Sequence, residues 1–301
     1  MSSTPPPIII LGTGRSFTSV ICCMIGEHPD LIGLPETNIF RDDTLGAMLK
    51  RFGRGPNRRR LAGLLRSIAH FHEGAQTDET IAAAEEFLEA RADWSYREIA
   101  HYLAEQAAPQ GIVEKSISTC RDTTTLNRVR EAWPDAYYLH ITRQPESIMN
   151  SMQNRIDDAL EKGKGKKYGR MMEKFSLDEY YLRFTSTILD FMETLPQGRC
   201  MNLHGEEFLT DAAPYLRQIC EWTGLDADDA IIEGMMHPEN NPFAHRGPDN
   251  AHGGLSGSFI ENPKYSGKPV VAKPISFDTS SPGASGYRDT IARLGYQLGY
   301  R

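Results

Sequence analysis

The residues best equipped for chemistry stand near the start of the chain. Gly12-Thr13-Gly14-Arg15-Ser16-Phe17-Thr18-Ser19 holds two glycines, an arginine and four hydroxyls in eight positions. Arg15 supplies a fixed positive charge with forked donors, and Ser16, Thr18 and Ser19 add hydroxyl donors. That set suits a phosphate-like anion. Its flanks say how it would be presented. The preceding run, Pro7-Ile8-Ile9-Ile10-Leu11, reads as a buried parallel strand. The following run, Val20-Ile21-Cys22-Cys23-Met24-Ile25, is long enough for a helix. Strand, glycine turn and helix leave backbone N–H groups unpaired at the helix N-terminus, where they and the helix dipole attract an anion. An ordinary βα turn with an exposed Arg has the same local sequence, so the loop alone does not decide.

The loop differs from that of the nucleotide triphosphatases. Their pattern is G-x-x-x-x-G-K-S/T. Here Phe17 stands at the second Gly and Thr18 at the Lys, and the positive charge sits inside the loop as Arg15. No second strand ends in an evident acidic Mg²⁺ ligand. The expected ligand is a phosphate-like anion bound without an obligatory metal.

A second group lies farther along. Asp135-Ala136-Tyr137-Tyr138-Leu139-His140-Ile141-Thr142 reads as another strand, and Arg143-Gln144-Pro145-Glu146-Ser147 leads into a helical run. Arg143 leaves the strand end, where α/β sheets bind ligands. Pro145 suits the first turn of the helix. Ser151 falls about two turns into that helix, on a face able to look back at Arg143. Arg and Ser around a second anion is the functional reading; alone, this group is better read as a surface Arg and a helix Ser.

Together the two groups resemble the PAPS-dependent sulfotransferases, PAPS being 3′-phosphoadenosine 5′-phosphosulfate. The first loop is similar to the family's 5′-phosphosulfate loop, G-x-x-R-S-G-T-S/T, over Gly12 to Ser19. Arg143 with Ser151 eight positions later resembles the 3′-phosphate motif. Gly205-Glu206-Glu207-Phe208-Leu209 resembles the Y-E-D-L strand end, and Tyr215 to Leu225 the helix after it. Ile291-Ala292-Arg293-Leu294-Gly295-Tyr296 resembles the C-terminal helix of bacterial members and of tyrosylprotein sulfotransferases. Two departures stand out. Phe17 replaces the loop Gly, making the loop stiffer or a pocket wall. Gly205 replaces the Tyr and removes whatever that Tyr contacts.

The resemblance implies sulfuryl transfer from PAPS to a hydroxyl or amine, giving PAP. Such a site needs cations at the leaving phosphate, donors on the sulfonate and a base for the acceptor proton. Glu36, in Gly33-Leu34-Pro35-Glu36-Thr37, follows a short apolar piece and belongs at the carboxyl edge of the second strand. It matches the family's G-x-x-E-T segment and so the catalytic base; its other reading is an acid stabilising the next helix by charge. His28 competes, since some cytosolic sulfotransferases use His, but a helix-end cap suits it better. Lys115, ending Gly111-Ile112-Val113-Glu114-Lys115, resembles the Lys near the bridging oxygen in tyrosylprotein sulfotransferases; a solvated strand-end Lys is the plain alternative. The resemblance also puts Lys273 on the cofactor, in a segment closing over it. Arg121 and Arg155 read as surface or helix charges. Met171-Met172 and Met235-Met236 read as packing, and Glu161 to Lys167 as a solvated loop.

The composition bounds the rest. The chain has 301 residues, 40% hydrophobic and 24% charged, enough for one sizeable core. The expectation is an α/β fold: a P-loop-like three-layer α/β/α arrangement around a central parallel sheet. It is one domain over 1–301, with a helical insertion at 41–110 and a long loop at 237–286 forming the acceptor side. A formal net charge of −7 argues against nucleic acid while allowing a locally basic pocket. The five cysteines are sparse; Cys22-Cys23 in an apolar helix reads as buried thiols, and no metal site is expected. No signal peptide and no membrane-length apolar run are evident, so a cytoplasmic enzyme is expected, where PAPS is made. The acceptor is a small molecule, a natural product or a lipid among the classes in view. The oligomeric state stays open, a homodimer included. Two other readings remain: a P-loop nucleoside or small-molecule kinase, against which the missing loop Lys counts, and a non-catalytic anion-binding homologue.

Overall fold

The structure is a computed structural model describing residues 4–161, 176–276 and 286–301. Strand β1, Ile8–Leu11, is buried along its whole length. A strand with apolar side chains on both faces belongs inside a covered sheet. Accordingly β1 lies at the centre of five parallel strands, in the order β2-β3-β1-β4-β5. The others are β2 (Leu31–Gly33), β3 (Gly111–Glu114), β4 (Tyr137–Thr142) and β5 (Cys200–His204).

Alternation along β1 divides the core in two. Ile8 and Ile10 face one cluster with helix α1 (Thr18–Ile25) and, later in the chain, helices Ala212–Thr223 and Asp229–Met235. Ile9 and Leu11 face the other, with α2 (Leu45–Phe52), α3 (Ala62–Glu73), α4 (Asp78–Glu89), α5 (Tyr96–Ala107) and α6 (Thr123–Ala132). The result is the three-layer α/β/α arrangement expected from the sequence.

The helices of 41–110 do not form a lobe of their own. Ile81, Ala84 and Leu88 of α4, and Ile99 and Leu103 of α5, recur three or four residues apart and bury in the same cluster as Ile9 and Leu11. Ser95 starts α5 with a reciprocal cap: it accepts from Glu98 N, and the Glu98 carboxylate accepts from Ser95 N. Beyond β4, α7 (Pro145–Glu161) and α8 (Leu177–Met192) pack together through Ile148, Met149 and Tyr181. Helix α9 (Gly205–Thr210) starts directly after β5.

In the described residues 237–276, the long segment holds the short turns Pro238–Asn240 and Asp249–Ala251 and a one-turn helix, Gly257–Ile260. Arg66 of α3 pins it. Its guanidinium is buried and donates to the carbonyls of Phe243 (3.0 Å) and Gly253 (2.8 Å) and to Gln76 Oε1 (2.6 Å). The tract 162–167 and the pair Met171-Met172 lie outside the described residues. Met235 is buried and packs in the Ile8 cluster, and Met236 packs against it. Arg121 and Arg155 are exposed, as read from the sequence. Cys22 and Cys23 are buried free thiols; burial pushes Cys22 up to about 12.

Candidate active site

The strand order decides which side chains meet. At the carboxyl edge, β2, β3, β1 and β4 are followed by Glu36, Lys115, the loop of residues 12–19, and Arg143 respectively. Residues far apart in sequence therefore stand side by side in one row.

Glu36 and Lys115 are held by a clamp between the ends of β2 and β3. The buried Glu114 carboxylate accepts from Thr37 Oγ1 (3.0 Å), from Ser116 N (3.0 Å) and from Ser116 Oγ. Burial pushes its carboxyl up, and these hydrogen bonds oppose that. Asn38, with φ of 56°, donates from its backbone to Ser116 Oγ (2.9 Å) and from its amide to the Arg60 carbonyl (2.9 Å). Gly63 of α3 lies so close that a Cβ there would sit 2.0 Å from the Glu36 carbonyl oxygen. The Glu36 N–H donates to the Gly254 carbonyl (2.7 Å). Both termini of the 36–38 turn are thus fixed from outside.

Within that clamp the Lys115 ammonium, 1% exposed, donates to Glu36 Oε1 at 2.8 Å and to Ser19 Oγ at 3.0 Å. The Glu36 side chain is 32% exposed, so one end of the pair is dry and the other reaches solvent. Ser19 Oγ also accepts from Ser256 N (3.0 Å).

The loop has its own local cause. Arg15 and Phe17 adopt left-handed backbone (φ 75° and 62°), which turns the chain sharply from β1 into α1. No side chain caps α1. Thr13 Oγ1 and Ser16 Oγ hydrogen-bond each other (2.7 Å), and Gly14 N donates to Tyr180 OH (3.0 Å). Arg15 joins the two motifs: its Nε donates to Ser151 Oγ (2.9 Å) and its Nη1 to Ser256 Oγ (3.3 Å), while its carbonyl accepts from Arg143 Nη1 (2.6 Å). Burial lowers the Arg143 guanidinium from its ordinary range, opposed by the nearby Glu206 carboxylate. Arg143 Nε is buried with no hydrogen-bond partner among the described residues.

The structure therefore brings together Glu36, Lys115, residues 12–19, Arg143 and Ser151. Two expected residues fall elsewhere. His28 precedes β2, at the amino edge of the sheet, and is buried; its Nε2 pairs with the Asp226 carbonyl and its Nδ1 accepts from Asp30 N, both at 3.0 Å. Neither side-chain contact is with a carbonyl of α1, whose C-cap is Gly26. Lys273 is exposed and lines a separate cavity of about 280 Å³ with His204, Glu206, Glu207 and Tyr300. Three residues of the site went unread in the sequence: Ser256, Tyr180 and Asn38. Ser256 lies in the 237–286 segment, whose length and polarity were its only signal. Tyr180 and Asn38 carry none, because each acts through a contact distant in sequence.

Fold and site together define an α/β protein whose sheet edge gathers Lys115, Arg15, Arg143 and several hydroxyls around the glycine loop of residues 12–19. A sequence model of the sulfotransferase family matches residues 6–229, most of the chain, and the chain belongs to that family. Its fold is shared by two solved bacterial enzyme domains. The sulfotransferase domain from the curacin biosynthetic pathway is 18% identical with a TM-score of 0.75, the alignment covering 100% of this chain and 99% of that one. The sulfotransferase domain of the Synechococcus PCC 7002 olefin synthase is 21% identical with a TM-score of 0.73, covering 100% and 97%. A Mycobacterium avium sulfotransferase is 15% identical with a TM-score of 0.52, covering 98% and 76%. A search of curated protein sequences finds no match.

Proposed function

We propose that this chain transfers a sulfuryl group from PAPS to a hydroxyl or amine of a small-molecule acceptor, releasing PAP. The observation that carries the reading is the row Glu36–Lys115–Ser19, joined by hydrogen bonds of 2.8 and 3.0 Å beside the anion-binding loop. The residues fit the donor's two anionic ends. Loop amides, Arg15 and the hydroxyls of Ser16, Thr18 and Ser19 suit the 5′-phosphosulfate; Arg143, whose Nε lacks a hydrogen-bond partner among the described residues, suits the 3′-phosphate together with Ser151.

In this reading Glu36 takes the acceptor's proton as its oxygen or nitrogen attacks sulfur. The new bond forms in line with the breaking bond to the bridging oxygen, and the electron pair leaves on the 5′-phosphate of PAP. Lys115 and Arg15 meet the charge on that leaving oxygen. The acceptor approaches from the side of Glu36, framed by the start of α3 and by residues 253–258; the contacts of Gly63 and Gly254 with Glu36 support this. A cytoplasmic setting, where PAPS is made, belongs to the same reading.

Incubation with PAPS and a panel of phenols, alcohols and amines, with mass spectrometry, tests it. The expected result is product gaining one SO₃ and PAP in equal amount. Tight binding of ATP–Mg²⁺ without binding of PAP would overturn it in favour of a kinase.

A further inference from the structure

Phe17 and Gly205 are the two departures from the resembling motifs, and they lie against each other. A Cβ on Gly205 would come within 2.7 Å of Phe17 Cδ2. The Phe17 ring therefore needs a residue with no side chain at 205. The Arg143 guanidinium carbon lies 4.4 Å from the centroid of that ring. Phe17 reaches this place only with φ at 62°, a left-handed backbone that glycine adopts freely and a large side chain does not. The loop thus holds strain in order to keep a ring.

Arg143 has few other restraints. It makes a single hydrogen bond among the described residues, from Nη1 to the Arg15 carbonyl. One hydrogen bond leaves a guanidinium free to turn about it, and an aromatic face beneath it fixes the plane.

We propose that Phe17 and Gly205 form a reciprocal pair that orients Arg143 toward the 3′-phosphate of the donor. Phe17 is a positioning residue in this role, and the role rests on the reading of Arg143 given above. Gly205 leaves room for the ring, the ring sets the plane of the guanidinium, and the backbone strain at 17 is offset when the oriented arginine meets its phosphate.

The test compares affinities for PAP and for 5′-AMP, which lacks only the 3′-phosphate, by calorimetry, with AMP measured as a competitor. Phe17→Gly removes the ring and the strain together. It should weaken PAP about fivefold to tenfold with little change toward AMP. Phe17→Leu, bulky without a π face, should lose the same selectivity, and Phe17→Tyr should restore it. Gly205→Ala should mimic the ring's loss in the wild type but add less than about twofold in the Phe17→Gly background, where the severe approach to the ring is gone and only the milder ones to Thr142 O (3.1 Å) and Ile141 Cγ2 (3.2 Å) remain. Arg143→Ala is the reference. If it loses PAP selectively and Phe17→Gly does not, the pairing is overturned while the phosphate site stands. Equal loss toward PAP and AMP in Phe17→Gly also overturns the pairing, since the ring would then be serving the base or the loop. If Arg143→Ala loses PAP and AMP equally, the phosphate assignment fails and the proposal fails with it.

Discussion

Replacing Lys115 with Met separates the stability of the site from its chemistry. The ammonium is 1% exposed and has two partners, Glu36 at 2.8 Å and Ser19 at 3.0 Å. Removing one member of a fully buried pair costs about 3–5 kcal/mol, because the other charge is left dry. Here the remaining charge is not dry: the Glu36 side chain is 32% exposed and water can reach it. Met also ends the burial of an ammonium while keeping a similar length. Ser19 Oγ keeps its hydrogen bond from Ser256 N. The stability cost should therefore be about 1–2 kcal/mol, nearer to the loss of a hydrogen bond to a charged group than to a broken buried pair. The rate cost should be larger, about 10²–10³-fold, as for other lost stabilisers of developing charge. Lys115→Arg should not rescue, since a planar fork does not fit a site built around a compact ammonium. Urea unfolding and single-turnover transfer at saturating PAPS read the two effects separately. A transfer rate within about fivefold of wild type, far from the loss typical of such groups, would refute the role given to Lys115.

Other outcomes follow from the same geometry. Arg143→Ala should weaken PAP binding by about 2 kcal/mol or more by calorimetry, and unchanged affinity counts against the 3′-phosphate site. Turnover should survive EDTA, because Lys115 and Arg15 supply positive charge where a metal otherwise would; activity lost in EDTA and restored by Mg²⁺ contradicts this. Gly63→Ala would put a Cβ 2.0 Å from the Glu36 carbonyl oxygen, so the turn must shift; transfer should fall while PAP affinity, set at the far end of the row, stays within about twofold. Burial pushes His140 from its ordinary 6.5 down to about 4. The unfolded chain then binds a proton that the folded one refuses, so stability is lost as pH falls from 6.5 toward 4. His140→Gln should flatten that acid limb in thermal melts taken across the window, and an unchanged slope would show that other groups carry it.

What could be read in advance was whatever the sequence expresses locally. The Ile8–Leu11 run, the glycine loop and the helix after it are contiguous, and their order implies the parallel sheet that the structure shows. Glu36 and Lys115 were legible because each follows a short apolar strand. Their pairing was not, because β2 and β3 are adjacent only through a connection some 80 residues long in which four helices bury against Ile9 and Leu11. The same reason hid Ser256 and Tyr180, whose contacts with Ser19 and Gly14 span most of the chain. In the sequence Phe17 and Gly205 stand as two separate departures, 188 positions apart. Only the geometry of β4 and β5 beside β1 makes them one feature.

The account stands most directly on Glu36. A carboxylic acid beside the loop proposed to hold the donor's phosphosulfate calls for a task other than binding that donor. Glu36→Gln keeps the shape and the reach toward Lys115 but cannot take a proton. Single-turnover transfer at saturating PAPS, with PAP affinity measured alongside, isolates that difference. The account predicts transfer slowed by about 10²–10⁴-fold with PAP affinity nearly unchanged. Transfer at more than about a tenth of the wild-type rate, well short of the loss that removing a general base brings, would contradict it.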